Sequence, residues 1–457
     1  MQSRLHAHDA AHQPYPASPA HLAPSRHPAE RTGVPASHPE RRRHGSKQDR
    51  CETGRVRVAL VAPGFPTSLD DHHKPFLLDH ARALAGAGAE VTVVCPAHPD
   101  APRRHVVGGI EVHRVRFAPR RIEARVALGE SYRVFSGLSA LWVVPMIARL
   151  TLAAVRQARR RSADGTVIHG HWWFPCGLVA VAAAALAGRR TASVVHIHGS
   201  DAAVTTNAIH RWLARRVLRR ASAVVTVSED LQDWASSLVR RSRGPHPPPS
   251  AEPSGRTGGP LLAVASMPVG ADRLGTPTPA PADGPVIGIG RLMAEKGFDV
   301  LIEAVALMPP AAQPELVIVG DGPDLTLLEA LALRRGVSAE FAGAVPPNEI
   351  GEWYGRARLV CVPSRREGFG MITAEALAAG RPVVATAVGA APHFITEGAN
   401  GFLAPPDSAD ALAAVLTKAL QTELAASAST TAVTLAPFGA EAHAAALMEI
   451  YGQIVQP

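Results

Sequence analysis

The sequence predicts an α/β protein built from two Rossmann-like, doubly wound domains that face each other across a cleft. Three observations carry that expectation. The chain has 457 residues, more than one ordinary core accommodates. Short, near-continuous apolar runs alternate with helical patterns, as strands of a parallel sheet covered on both faces do. The alternation stops at a proline-rich stretch and then restarts. The cleft between two such halves is the default place for a ligand.

The order along the chain follows from composition and period. Residues 1–54 are rich in His, Pro, Ser, Ala and Arg, lack an apolar period, and are expected to be a disordered tail. Its histidines (His6, His8, His12, His21, His27, His38 and His44) read as composition rather than as a metal site. Order begins at RVRVALVAPGFP, where an apolar strand meets a Pro-Gly turn. FLLDHARALAGAG reads as a helix ending at glycine and EVTVVCP as the next strand, followed by strands in TVIHGHWWF, ASVVHIHGSD and SAVVTVSED. The first domain is expected over 55–272, with a proline-rich insert at 240–260, and a linker over 273–285. The second domain, over 286–432, repeats the pattern in VIGIGR, ELVIVGDG, AEFAGAV, LVCVPS and PVVATA. Residues 433–457 hold an amphipathic helix expected to pack back towards the first domain.

Composition narrows the function classes. Hydrophobic residues make up 46% and the mean hydropathy is +0.05, as in a globular protein with a large buried fraction. The four cysteines (Cys51, Cys95, Cys176 and Cys361) have no C-x-x-C spacing, which speaks against a disulfide framework or a cysteine zinc site and for a reducing compartment. No apolar signal region is read at the N-terminus. The apolar run LSALWVVPMIARLTLAAV is expected to be too short to span a bilayer and to be broken by Pro145 and Arg149. The formal charge is +8, with basic clusters at Arg41–Arg43, Arg120–Arg121, Arg159–Arg161, Arg215–Arg216 and Arg219–Arg220. These read first as solvated helix faces and second as attraction to anionic lipid or a lipid-phosphate acceptor. No nucleic-acid partner is expected, because no basic stripe is interleaved with stacking aromatics. The expected location is cytoplasmic, with peripheral contact at the inner face of the membrane as the sharper reading.

The chemistry concentrates in the second half. LVCVPS delivers the chain to the carboxyl end of a parallel strand, where open α/β sheets bind ligands. REGFG is the next loop and MITAEALAAG the next helix, whose N-terminus offers free N–H groups and the positive end of a dipole. Gly368 and Gly370 let backbone approach a ligand closely. Glu367 sits in the loop and Glu375 about one turn into the helix. Each alone reads as a capping or surface carboxylate; together they suit a sugar under Glu367 and a ribose under Glu375. In GIGRLMAEKG, Arg291 leaves a strand end and Lys296 follows five residues later, a fork and a point charge suited to phosphate.

GRLMAEKG followed by EGFGMITAE resembles the donor half of the family 4 glycosyltransferases with their E-x7-E motif. VGDGP, FAGAVPPNEIGEWYGRARLVCVPS, EALAAGRPVVAT and EGANGFLAPPDSADALA support the likeness, and HGHWWFPCGLVA, HIHGSD, VTVSEDL and MPVGAD resemble the acceptor-half landmarks. The resemblance implies a GT-B fold and a retaining transferase that moves a sugar from a UDP- or GDP-linked nucleotide-diphosphate sugar to a hydroxyl of a glycan or lipid-linked acceptor. It implies that Arg291 and Lys296 hold the diphosphate, that Glu375 holds the ribose, and that Glu367 with the Phe369–Gly370–Met371–Ile372 backbone holds the donor sugar. From the facing domain it brings His198 to the donor sugar and the Gly64 loop to the phosphates. No D-x-D occurs in the chain, so no metal cofactor is expected, and the cations and helix N-terminus are left to stabilise the departing diphosphate. Two departures are visible: a single glycine in PGFP, and His393 where glutamate is common.

Two other classes compete. His169 with His171, and His196 with His198, alternate along strands and share a face, so each H-x-H presents two metal ligands, as in a metal-dependent hydrolase. Against it, no carboxylate follows at ligand spacing. A non-catalytic sugar-nucleotide-binding protein is the third reading. Asp201 reads first as the cap of the helix that follows HGSD and second as a contact to the acceptor.

Overall fold

Runs of valine, isoleucine and alanine form two sheets in the computed structural model, which describes residues 56–127, 137–160, 165–205, 207–240, 259–270, 273–424 and 435–455. The tail expected over 1–54 and most of the proline-rich insert at 240–260 lie outside the described residues.

The first sheet contains β1 (Arg57–Val61), β2 (Glu90–Pro96), β3 (Arg104–Val107), β4 (Ile110–Val115), β5 (Thr166–His171), β6 (Thr191–Ile197), β7 (Ala223–Thr226) and β8 (Leu261–Val264). Their order is β3-β4-β2-β1-β5-β6-β7-β8. Every pair is parallel except β3 with β4. That antiparallel pair turns on Gly108 and Gly109, both at positive φ, 56° and 85°. A two-residue turn with both φ positive matches the twist of a hairpin and favours glycine. The second sheet contains β9 (Val286–Ile289), β10 (Leu316–Val319), β11 (Ala339–Gly343), β12 (Leu359–Val362), β13 (Val383–Thr386) and β14 (Gly401–Ala404), all parallel in the order β11-β10-β9-β12-β13-β14.

In each sheet the strand order reverses at one point, between β1 and β5 in the first and between β9 and β12 in the second. Chains leave adjacent strands there in opposite directions, which opens a crevice at the carboxyl edge. The loops after β9 and β12 are those that carry Arg291 and Glu367.

One expectation is corrected. Pro145 and Arg149 do not break the run near Trp142, which forms the continuous helix Val143–Ala158. Pro145 lies in its first turn, where a missing N–H leaves no bond unmade. Met146, Leu150, Ala154 and Val155 are buried against β1 and β5 residues Ala59, Val61 and Ile168. Among the described residues, Ala140–Ala158 is the helical stretch whose length and hydropathy would suffice to cross a membrane.

The halves are joined by packing as well as by the linker. One buried apolar cluster runs from Val195 and Val224 through Met267 and Leu274 to Ile287 and Val360. The helix Ala440–Val455 lies against the first domain, with Leu447, Ile450 and Tyr451 buried among Val58, Leu60 and Leu84. Beneath the second sheet the fully buried guanidinium of Arg381 donates to the carbonyls of Thr278, Pro279, Ala357 and Ala379. Arg381→Ala would leave those carbonyls, two from the linker and two from the second domain, without this partner in the interior. With each lost partner costing about 1–3 kcal/mol, the variant is expected to unfold at clearly lower denaturant, with a loss of roughly 3 kcal/mol or more.

Candidate functional site

The site is built from the crevice edge of the second sheet. After β9 the chain passes Gly290 to Arg291, whose exposed side chain lines the cleft. The short turn Ala294–Lys296 then brings the Lys296 Nζ to 2.7 Å from Glu367 Oε1. Ser364 Oγ donates to the same oxygen at 2.8 Å. The Glu367 loop is anchored by its neighbour Arg365, which grips both Asp299 oxygens at 2.8 and 2.7 Å and reaches Asp407 at 2.8 Å.

Gly370 is the residue before the helix Met371–Ala378 and takes φ 92°, a conformation that a side chain would strain. The helix therefore starts abruptly, with its first N–H groups at the cleft wall. Glu375 follows one turn later and is buried. Its Oε2 accepts from the Tyr354 hydroxyl at 3.1 Å, and its Oε1 accepts from Arg273 at 3.2 Å. Burial pushes the Glu375 carboxyl up, while Arg273 and Tyr354 hold it down. Arg273 also donates to Asp79 at 2.6 Å, so one guanidinium from the linker ties a first-domain helix to the carboxylate of the second domain.

The first domain supplies a second cation. Lys74 precedes the helix Pro75–Gly86 in the left-handed conformation, φ 61° and ψ 48°. A non-glycine residue there is strained, and such strain clusters where a loop must aim a group. The loop is held by Asp71, which accepts from the Thr67 and His73 N–H groups, both at 2.8 Å. Burial, and then the charge of Arg291, lower the Lys74 ammonium below its ordinary value. Lys74 at one helix N-terminus and Arg291 at a strand end thus line the same cleft as the N-terminus of Met371–Ala378, a combination that favours a bound anion.

His198 follows β6. Its N–H donates to Asp201 at 2.7 Å, and the other Asp201 oxygen accepts from the Trp173 N–H at 2.7 Å. Asp201 therefore fastens the two loops together and does not cap the short helix Ser200–Val204, whose preceding residue is Gly199; the capping expectation is corrected. Burial pushes the Asp201 carboxyl up to about 7. The His198 loop meets the Glu367 loop backbone to backbone: a Cβ on Gly368 would lie 2.1 Å from the His198 carbonyl oxygen.

Arg291, Met371, Ile372 and Glu375 line one cleft of about 540 Å³ together with Lys74 and Arg273. Lys296, Glu367, Gly370 and His198 stand beside that lining, joined to it through the loops just described. Phe369 contributes backbone to the loop, while its ring is buried against Phe394 and Phe438 at 5.1 and 5.4 Å. Gly64 lies outside the cleft lining, in a small neighbouring pocket with Lys74 and Asp71. A larger cavity of about 1190 Å³ between the helix Pro75–Gly86 and the C-terminal helix contains neither Arg291 nor Glu375. Sequence reasoning missed Lys74, Arg273 and Tyr354. The histidine pairs are brought together as expected for one face, but their nitrogens bind one another: His169 Nε2 to His196 Nδ1 at 3.1 Å and His171 Nδ1 to His198 Nε2 at 2.9 Å.

Two facing α/β halves with crevice loops of this kind define a GT-B glycosyltransferase. The family models agree: "Glycosyl transferase 4-like domain" matches residues 74–247 and "Glycosyl transferases group 1" matches 281–432. The chain belongs to the family 4 glycosyltransferases. It is similar to a D-inositol 3-phosphate glycosyltransferase of Xylanimonas cellulosilytica, 29% identical over 83% of this chain and 90% of that one. A D-inositol 3-phosphate glycosyltransferase of Kribbella flavida is 41% identical, over 28% of this chain and 34% of the relative's length. The structure of Anabaena HepE in complex with UDP-glucose superposes with a TM-score of 0.60 at 21% identity, covering 87% of this chain and 98% of that one. The metal-dependent hydrolase reading of the histidines gives way to this family.

Proposed function

We propose that the protein moves a sugar from a UDP- or GDP-linked donor to a hydroxyl of a glycan or lipid-linked acceptor, with retention of anomeric configuration. One observation carries the reading: Arg291, Lys74 and the first residues of the helix Met371–Ala378 line one cleft, and Glu375 lies one turn along the same helix. The cations and helix N-termini suit a diphosphate, and a carboxylate with lone pairs to spare suits the ribose hydroxyls. HepE is described in complex with UDP-glucose, which makes UDP-glucose the first donor to test.

Breaking the sugar–phosphate bond builds negative charge on the leaving diphosphate. Preorganised cations stabilise such charge most where water is scarce. Arg291, Lys296 and Lys74 supply that field, so no metal cofactor is required in this reading. Glu367, fixed by Lys296 and Ser364, faces the sugar side. Attack comes from the face that the diphosphate leaves, and the leaving phosphate takes the acceptor proton. Acceptor binding falls to the first domain, where the arginine-rich helices suit an anionic acceptor or a membrane surface. Proton NMR of the fresh product tests the stereochemistry: the donor's anomeric configuration is expected in the product, and inversion would overturn the same-face step.

Arg273 gives a separate expectation. Arg273→Ala removes the cation that keeps the buried Glu375 ionised, and donor KM is expected to rise about ten-fold or more, as loss of a charged hydrogen bond does. Because the removed group opposed an upward shift, the defect should shrink as pH rises and Glu375 ionises again. A defect independent of pH would mean that Arg273 acts only by shape.

A further inference from the structure

We propose that the first domain holds a transition-metal ion of the imidazole-binding kind, copper or zinc, between His80, His169 and His171, apart from the donor cleft. One ring nitrogen from each of the three lies within 4.8 Å of the others, and all three residues are fully buried. They come from different elements: His80 from the helix Pro75–Gly86, and His169 and His171 from one face of β5.

The protons can be followed from the carbonyls inward. A carbonyl only accepts, so His443 Nδ1–H donates to the Ser266 oxygen. A neutral imidazole carries one N–H, so His443 Nε2 is an acceptor and His80 Nδ1–H donates to it at 2.8 Å. His80 Nε2 is then a bare lone pair in the core, with no hydrogen-bond partner. His171 Nε2 is buried and unpartnered as well, and the two rings stand edge to face with centroids 4.7 Å apart. Two orphaned nitrogens on neighbouring rings in a dry interior are what a bound cation would satisfy.

The second relay ends with both nitrogens of His169 paired. His196 Nε2–H donates to the Ala265 oxygen, so His169 Nε2–H donates to His196 Nδ1, and His169 Nδ1 accepts from the Tyr451 hydroxyl at 2.6 Å. His169 completes a three-nitrogen set by releasing one of those two bonds. The two orphaned nitrogens alone make a two-coordinate site. Burial keeps the imidazoles neutral, which is the ligating form. Nitrogen donors select copper, zinc or nickel over magnesium and calcium, which take oxygen. With no carboxylate in the set, the singly charged copper(I) ion is favoured on charge. A cation on His171 Nε2 also fixes the proton on His171 Nδ1, which then donates to His198 Nε2 and settles the tautomer of the histidine beside the cleft.

The test is metal content of the full chain purified from cells supplemented with copper or with zinc, after chelation of loosely held ions and gel filtration. About one equivalent is expected to stay with the wild type. His80→Gln and His171→Gln are each expected to lower retention at least ten-fold, whereas a His72→Gln, His73→Gln double variant at the half-buried Asp71–His73 group retains it. Circular dichroism reports whether each variant folds. Wild type that retains no ion from either medium overturns the proposal without reference to the variants. Retention unchanged in a folded His80→Gln, His171→Gln double variant also overturns it, by placing the ion elsewhere.

Discussion

Arg291→Ala is expected to lower kcat/KM for the donor about 10²–10³-fold, the loss seen when one preorganised charge-stabilising donor is removed from a transition state. Much of that loss should fall on kcat, because the charge that Arg291 meets grows as the diphosphate departs. Arg291 is exposed and makes no ion pair among the described residues, so thermal stability should stay within about 0.5 kcal/mol of wild type. Stopped turnover with an unchanged unfolding transition would mark a functional role. A parallel fall in stability would mark a structural one. Lys74 lines the same cleft from the first domain, and Lys74→Ala should reproduce part of the defect.

Gly368→Ala has the second large effect. The added Cβ would meet the His198 carbonyl oxygen at 2.1 Å and its carbon at 2.8 Å, and neither backbone has room to yield locally. The reciprocal contact is also too close for a side chain, since a Cβ on Gly199 would stand 2.6 Å from Gly368 Cα. The substitution must therefore push the His198 loop off the Glu367 loop. A displacement near 1 Å in a reacting geometry costs about 10²-fold, so kcat is expected to fall about that much. Donor KM should change less than kcat, because Arg291 lies on the β9 loop and Glu375 is held separately by Arg273 and Tyr354. Wild-type kcat in Gly368→Ala would show that this loop contact is irrelevant to turnover.

Much of the fold was legible because it follows from local pattern. Buried parallel strands read as apolar runs, and VIGIGR, LVCVPS and PVVATA show this without ambiguity. The hairpin at Gly108–Gly109 was passed over although its paired glycines between apolar residues are a strong local signal. Glu367, Glu375 and Arg291 were found because strand end, glycine turn and helix start lie within a few residues of one another. Lys74 was not, since HHKP carries no pattern and its role comes from a left-handed backbone and the approach of Arg291. Arg273 was hidden in a proline-rich linker, and its partners Asp79 and Glu375 lie 194 and 102 residues away. The meeting of His80 with His443 across 363 residues likewise depends on where the final helix packs.

A nucleotide-diphosphate sugar is expected to bind in the cleft lined by Arg291 and Glu375. The most direct test is a thermal-shift comparison of wild type, Arg291→Ala and Glu375→Ala against UDP- and GDP-sugars, with and without EDTA. Stabilisation by one nucleotide class, insensitive to EDTA and lost in both variants, is the expected result. Stabilisation that persists in both variants, or no response of the wild type to any nucleotide sugar, would contradict it.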